Sequence, residues 1–513
     1  MNGVATDTAA SAADASDGSE VECCEVAVIG AGFGGLAVAH QLARIGVDDV
    51  VLFERDNGVG GTWRANSYPG AACDVPSHLY SLSDAPNPNW SRTYATQPEI
   101  LRYVEDCYDR FDVGRKVRPS TEIVAARWHE DRARWRLRDA SSREYEAKVV
   151  VSAIGLFHTP SWPDIPGLDG FDGKVFHSAR WDHDHDLTGR GVAVVGTGAS
   201  AIQVVPAIAE VTEHLTVYQR TPAWILPRKD EAFTEEQMQA FASDPDLALR
   251  HRTELYEQYE QNTAFIAGDP VAELLADVAC GYLEQKVADP ALRAKLTPDY
   301  HIGCKRVLIS SAFYPAVQRD DVDLVTDRIE RVTTRAIRTN DGVERTCDTI
   351  VLCTGFHATD YLRGIEVTGR DGTTIHDQWA GVPRAYHGMA VPGFPNFFMM
   401  YGPNTNQGGN SIIIILEAQA RFVAGVLQAM REAGAATSEV RPEAMQCYLE
   451  DLEAALQGTV WNGGCDSYFR TSQGDIVTQL PHTSRWYCDR TAAIDENDLE
   501  LGPPSRTETL GKS

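Results

Sequence analysis

Twice along this chain a short apolar run passes directly into a glycine-rich turn. Glu25 to Ile29 leads into Gly30-Ala31-Gly32-Phe33-Gly34-Gly35, and Gly191 to Val195 leads into Gly196-Thr197-Gly198-Ala199-Ser200-Ala201. The first turn opens a stretch with helical spacing, Leu36 to Ile45. Each turn is followed by a second apolar run, Val50 to Phe53 and Leu215 to Gln219 respectively. Strand, glycine turn, helix and strand form the unit that grips a dinucleotide pyrophosphate. Gly30 permits the tight turn, Gly32 lets backbone approach the phosphates, and Gly35 lets the helix pack close to the strand. The helix N-terminus adds a partial positive charge facing the phosphates. Gly196 and Gly198 repeat the first two roles, and Ala201 at the third position is a tolerated replacement. The chain is therefore expected to be α/β, with two Rossmann-like dinucleotide-binding domains.

The two units carry opposite charge at the end of the second strand. Glu54 can accept hydrogen bonds from ribose hydroxyls and would repel a 2′-phosphate, so the first site suits FAD or NAD. Arg220, followed by Thr221, favours a 2′-phosphate, so the second site suits NADPH. A flavin and a nicotinamide on one chain point to a flavoprotein reduced by NADPH.

The segment between the units narrows this further. Phe171, Gly173, His177, Trp181 and Asp182 fit FxGxxxHxxxW(P/D). Gly61-Thr62-Trp63 through Tyr68-Pro69-Gly70 to Asp74 fits GxWxxxxYPGxxxD, and Asp348 to Phe356 contains a Cys353-Thr354-Gly355 step. Together these strings resemble the fingerprints of type I Baeyer–Villiger monooxygenases, with Cys353 where that family usually has alanine. N- and S-oxidising flavin monooxygenases share a similar linker string but end it in an aromatic-basic pair, unlike Trp181-Asp182. The resemblance runs from about Glu25 to Tyr487.

The resemblance implies that the chain binds FAD and NADPH and uses O2 to convert a ketone to an ester or lactone through a flavin C4a-peroxide. It implies that Arg306 is the catalytic arginine, that Asp74 holds it, and that Lys305 helps bind the 2′-phosphate. It places Thr62, Trp63 and Asp74 beside the cofactor, and Trp461, in Thr459-Val460-Trp461, against the nicotinamide nucleotide. His177 and Trp181 would couple domains rather than do chemistry. Read from the residues alone, an electrophilic N- or S-oxygenase and an NADPH oxidase that releases H2O2 stay open.

Size and charge set the remaining expectations. The 513 residues are enough for two or three full cores. Residues 23–162 and 359–513 are expected to form the FAD-binding domain, and 163–228 and 302–358 the NADPH-binding domain. Residues 229–301, rich in Glu, Gln and Ala, form a helical insertion, and 1–22 a disordered acidic tail. The stretch from Glu496 reads as a frayed end. The loop from Gly402 to Ser411, just before an apolar helix, can approach the flavin. A net charge of −27 disfavours nucleic acid and anionic membranes as partners. No apolar run reads as a membrane span, and the start lacks the basic and apolar parts of a secretory signal. The 11 cysteines contain no CxxC pair and read as reduced thiols of a cytoplasmic monomer or homodimer. No metal site is expected.

Overall fold

The computed structural model describes residues 21–464 and 466–503, so most of the expected acidic tail and the last ten residues lie outside it. Two parallel-rich sheets carry the two glycine turns. In the first, β1 (Glu22–Ile29) lies between β2 (Val50–Phe53) and β3 (Glu144–Ser152), parallel to both. The sheet extends through the antiparallel strands Arg134–Asp139 and Ile123–His129, and Phe397–Met399 adds on parallel to the end of β3. Val26, Ala27 and Val28 are fully buried, as a central parallel strand covered on both faces requires. The strand starts earlier than its apolar run, because Glu22 to Cys24 pair with Tyr145 to Ala147. Glu22 is thus a strand residue and not part of a tail.

The second sheet runs Val322–Val325, His214–Tyr218, Gly191–Val195, Thr349–Leu352 and Lys174–His177. In chain order these are β4 (Lys174–His177), β5 (Gly191–Val195), β6 (His214–Tyr218), β7 (Val322–Val325) and β8 (Thr349–Leu352). All their pairings are parallel. The linker string Phe171–Asp182 is therefore built around an edge strand, β4. Helix α1 (Phe33–Arg44) follows the first glycine turn, and α2 (Ala201–Ile208) follows the second. Helix α1 starts three residues before its apolar spacing because Gly34 and Gly35 are themselves helical and buried.

Between β6 and β7 the chain makes a helical excursion, whose longest members are α3 (Pro245–Glu260) and α4 (Pro270–Lys286). Helix α5 (Ile412–Ala433) packs on α1 in the core of the first sheet. By length and composition α5 could cross a membrane, which the sequence reading overlooked, but 72% of its most apolar window is buried inside the protein. Two further expectations fail. Leu499–Gly502 is not frayed: it pairs antiparallel with Thr437–Val440. Cys304 is disulfide-bonded, so the thiols are not all reduced; composition cannot say which sulfurs a fold brings together.

Candidate active site

Both glycine turns open onto one cavity of about 1460 Å³, well above the ~300–1000 Å³ of an ordinary single-ligand site. The backbone around it fits two dinucleotides. Gly30 has φ +106°, and a Cβ there would sit 2.6 Å from the Ala153 carbonyl oxygen. Gly196 repeats this against Cys353, with φ +110° and a Cβ contact of 2.5 Å. At Gly198 a Cβ would meet nothing within 4 Å, so this backbone faces open space where a pyrophosphate can approach. Among the described residues no group of His, Cys, Asp and Glu could hold a metal ion.

The site residues expected from sequence divide into two sets. Gly30, Gly32, Glu54, Thr62, Trp63, Asp74, Gly196, Gly198, Arg220, Thr221, Lys305 and Arg306 all line the cavity. Gly35 and Ala201 do not. A Cβ on Gly35 would lie 2.1 Å from the Gly30 carbonyl oxygen, and Ala201 is fully buried at the start of α2. Both shape the loops from behind. Glu54 does two jobs: its Oε2 accepts from Ala31 N at 2.7 Å and its Oε1 from Asp56 N at 2.9 Å. Burial pushes its carboxyl above the usual range, against the pull of those two amides.

The string from Gly61 to Asp74 packs against α2, the helix that follows the second glycine turn. Gly70 has φ +81°, and a Cβ there would lie 2.7 Å from the Gln203 carbonyl oxygen of α2. Tyr68 donates its phenol proton to Gln203 Oε1 at 2.9 Å, and Gln203 Nε2 returns a bond to Ala72 O at 2.9 Å. Trp63 donates to the Tyr80 hydroxyl at 3.1 Å. The string ends at Asp74, whose Oδ2 accepts from both Nε (3.1 Å) and an Nη of Arg306. About 30% of each side chain reaches the cavity. Burial pushes the Asp74 carboxyl up, but the Arg306 charge and hydrogen bonds, with help from Arg228, hold it below the usual carboxylate range. Conversely the Asp74 charge outweighs desolvation and raises the Arg306 pKa. The guanidinium is therefore permanently charged and pinned on the cavity wall.

Beside it, Lys305 lies with its ammonium 5.0 Å from the centroid of the Tyr300 ring. Burial, reinforced by Arg220, lowers its pKa, while Asp466 and Asp299 pull it the other way. Lys305 and Arg220 thus form one cationic corner at the end of β6.

Trp461 is a correction. It is buried and absent from the cavity wall. Its indole donates to Gly303 O at 2.9 Å and stacks on Phe265 with ring centroids 5.5 Å apart. It steadies the backbone leading to Lys305-Arg306 from behind. The aromatic residues that do face the cavity beside Arg306 are Tyr468 and Tyr401, which the sequence reading missed. Tyr401 sits at φ +59°, a conformation residues with side chains rarely adopt, and its backbone N–H donates to Gln419 Oε1 at 2.8 Å. His177, expected to couple domains, is packed inside the protein. It is fully buried, accepts from Ala179 N at 3.1 Å, and meets the Phe356 ring edge-on where the chain leaves β8.

Comparison with known proteins places this arrangement. Residues 27–239 match the family model for pyridine nucleotide-disulphide oxidoreductases, which spans both glycine turns. A Baeyer-Villiger monooxygenase of Pseudomonas aeruginosa is 44% identical over 449 residues, covering 87% of this chain and 85% of that protein. The chain belongs to the Baeyer–Villiger monooxygenase family. A member from Streptomyces coelicolor is 42% identical over 96% of this chain and 95% of its own length. Among solved structures, cyclohexanone monooxygenase from Rhodococcus sp. Phi1 bound to NADP+ is 30% identical, with a TM-score of 0.85 over 94% of this chain and all of that one. The fold is that of two-dinucleotide flavin monooxygenases.

Proposed function

We propose that this protein is an FAD-dependent monooxygenase that uses NADPH and O2 to convert a ketone to an ester or lactone. The balanced reaction is ketone + O2 + NADPH + H+ giving ester, water and NADP+. The observation that carries the proposal is the Asp74–Arg306 pair on the wall of a cavity reached by both glycine turns.

FAD on the first turn and NADPH on the second would supply the hydride transfer and the O2 activation. The chain's own residues do the rest. Gly30, Gly32 and Glu54 hold the first dinucleotide by backbone and ribose contacts. Gly198, Arg220, Thr221 and Lys305 hold the second, with the cationic corner taking the 2′-phosphate. Arg306 would present fixed N–H donors to oxygen that gains negative charge in the reaction. A guanidinium is suited to this because it keeps its charge at every working pH. Asp74 fixes its direction and offsets the cost of desolvating it. A preorganised donor of this kind contributes about 3–4 kcal/mol to the transition state.

The fixed cation also speaks against the electrophilic-oxygenase alternative, since it favours an anionic, nucleophilic oxygen. The test is product analysis. FAD-loaded protein with NADPH and air is offered cyclic ketones, aryl ketones and thioethers. Esters or lactones are expected; sulfoxides alone would overturn the proposal.

A further inference from the structure

The helical insertion reaches across to the cavity through one acidic side chain. Glu260, the last residue of α3, accepts from Arg485 N at 2.7 Å through Oε1. Its Oε2 accepts from Asn410 Nδ2 at 3.0 Å and from the Ser484 hydroxyl at 2.9 Å. Asn410 and Gln407 lie on the loop before α5, and both line the cavity. Asn410, Gln407 and Ser484 are buried, at 5%, 8% and 0% exposure. The Ser484 hydroxyl is also 2.9 Å from Gln407 Oε1. Its single proton serves one of the two acceptors, Gln407 Oε1 or Glu260 Oε2, at a time. Ser484 thus links Gln407 to Glu260.

The same loop has no slack against the insertion. A Cβ on Gly409 would lie 3.0 Å from the Asn262 carbonyl oxygen, two residues past Glu260. Asn410 Oδ1 accepts from Ser411 N at 2.8 Å, and Ser411 caps α5. The position of the loop is thus shared between α5, whose N-terminus it leads into, and a helix inserted more than 100 residues earlier in the chain.

A second contact of α3 separates docking from positioning. Glu257 pairs with the Arg485 guanidinium at 2.6 Å, and among the described residues no hydrogen bond joins its side chain to the loop. It ties the insertion to the first domain without reaching the cavity.

We propose that Glu260 is a positioning residue that holds the Gln407–Asn410 wall of the cavity and thereby sets which ketones are accepted and which side of the carbonyl receives oxygen. This rests on the ketone-oxygenation reading above. The carboxylate is required because all three groups facing it are donors. Glu260→Gln replaces one acceptor oxygen by NH2 and sets donor against donor, while keeping the shape.

The test uses the full-length, FAD-loaded protein and three variants: Glu260→Gln, Ser484→Ala and, as a docking control, Glu257→Gln. Three quantities are followed: anaerobic reduction of the flavin by NADPH, KM and product ratio with an unsymmetrical ketone, and backbone hydrogen exchange over residues 402–411. The expected result is faster loop exchange, a changed ester ratio and a ~10-fold rise in ketone KM in Glu260→Gln and Ser484→Ala; misplacement by about 1 Å can cost up to ~10²-fold. Flavin reduction should be unchanged in all three, and Glu257→Gln should match wild type throughout. Wild-type product ratio and loop exchange in both Glu260→Gln and Ser484→Ala would overturn the proposal. So would a parallel fall in flavin reduction and ketone turnover, which would mark a general structural role. If the wild-type protein makes no ester from any ketone, the oxygenation reading fails, and loop exchange alone decides whether Glu260 holds the wall.

Discussion

Arg306→Ala separates the two halves of the reaction. Of the five guanidinium N–H groups, the structure commits those on Nε and one Nη to Asp74 Oδ2. The remaining donors are on the cavity wall, one of them against the Tyr468 hydroxyl. Removing them removes the donors for the developing oxyanion, a loss of about 3–4 kcal/mol, or ~10²–10³ in turnover. In the proposed function the hydride donor and its acceptor are assigned to the glycine turns, Glu54, Arg220 and Lys305, none of whose side chains hydrogen-bonds to Arg306. Anaerobic reduction of the flavin by NADPH should therefore stay within ~3-fold of wild type, below the ~10-fold that 1.4 kcal/mol represents. Stopped-flow absorbance measures the first half and ester quantitation the second. The deletion also leaves Asp74 facing burial with only a backbone hydrogen bond and Arg228 to oppose it, so its pKa rises and the fold loses stability. That loss should fall short of the ~3–5 kcal/mol of a fully buried pair, because about 30% of each side chain is exposed. The double variant Arg306→Ala/Asp74→Ala should recover thermal stability but not ester formation. Ester formation within ~10-fold of wild type in Arg306→Ala, with intact reduction, would refute the role assigned here.

Three other outcomes are expected. Arg220→Ala should raise KM for NADPH at least ~10-fold while leaving KM for NADH nearly unchanged, since one charge-assisted phosphate contact contributes about 1.5–3 kcal/mol; equal effects on both would refute the 2′-phosphate corner. Gly70→Ala should lower the thermal midpoint and loosen the contact with α2, because the new Cβ would lie 2.7 Å from the Gln203 carbonyl oxygen at a φ of +81°. Differential scanning calorimetry checks this, with a cost of about 1–3 kcal/mol. Burial lowers the His177 and His78 pKa values to about 4 and that of His387 still further, so all three are neutral in the folded protein. An unfolded histidine titrates near ~6.5. The unfolded chain thus binds more protons below that pH, and stability should fall as pH drops from about 6.5 toward 4. A denaturation midpoint flat across that window would contradict the burial of these rings.

The dinucleotide units were legible because their chemistry is local. A tight turn, a close backbone approach and a strand-end charge all fall within about thirty residues, and Glu54 and Arg220 sit where that logic puts them. What escaped the sequence depends on distant contacts. Trp461 and Tyr468 are both aromatic residues in one glycine-rich stretch, and only the bond from Trp461 to Gly303 decides which of them turns away from the cavity. Leu499–Gly502 reads as a charged tail until its partner strand, Thr437–Val440, is known. Helix α5 has the composition of a membrane span, and only its packing on α1 shows it to be core. Glu260 had no local signal at all, because its three donors come from residues 410, 484 and 485.

The most direct test of the central claim is oxygen labelling. The FAD-loaded protein is given NADPH, a panel of ketones and 18O2, and the products are weighed by mass spectrometry while NADPH and H2O2 are followed. Oxygen insertion by this site predicts an ester or lactone carrying one 18O atom, formed in proportion to NADPH consumed. NADPH consumption matched by H2O2 for every ketone, with no labelled ester, would contradict it.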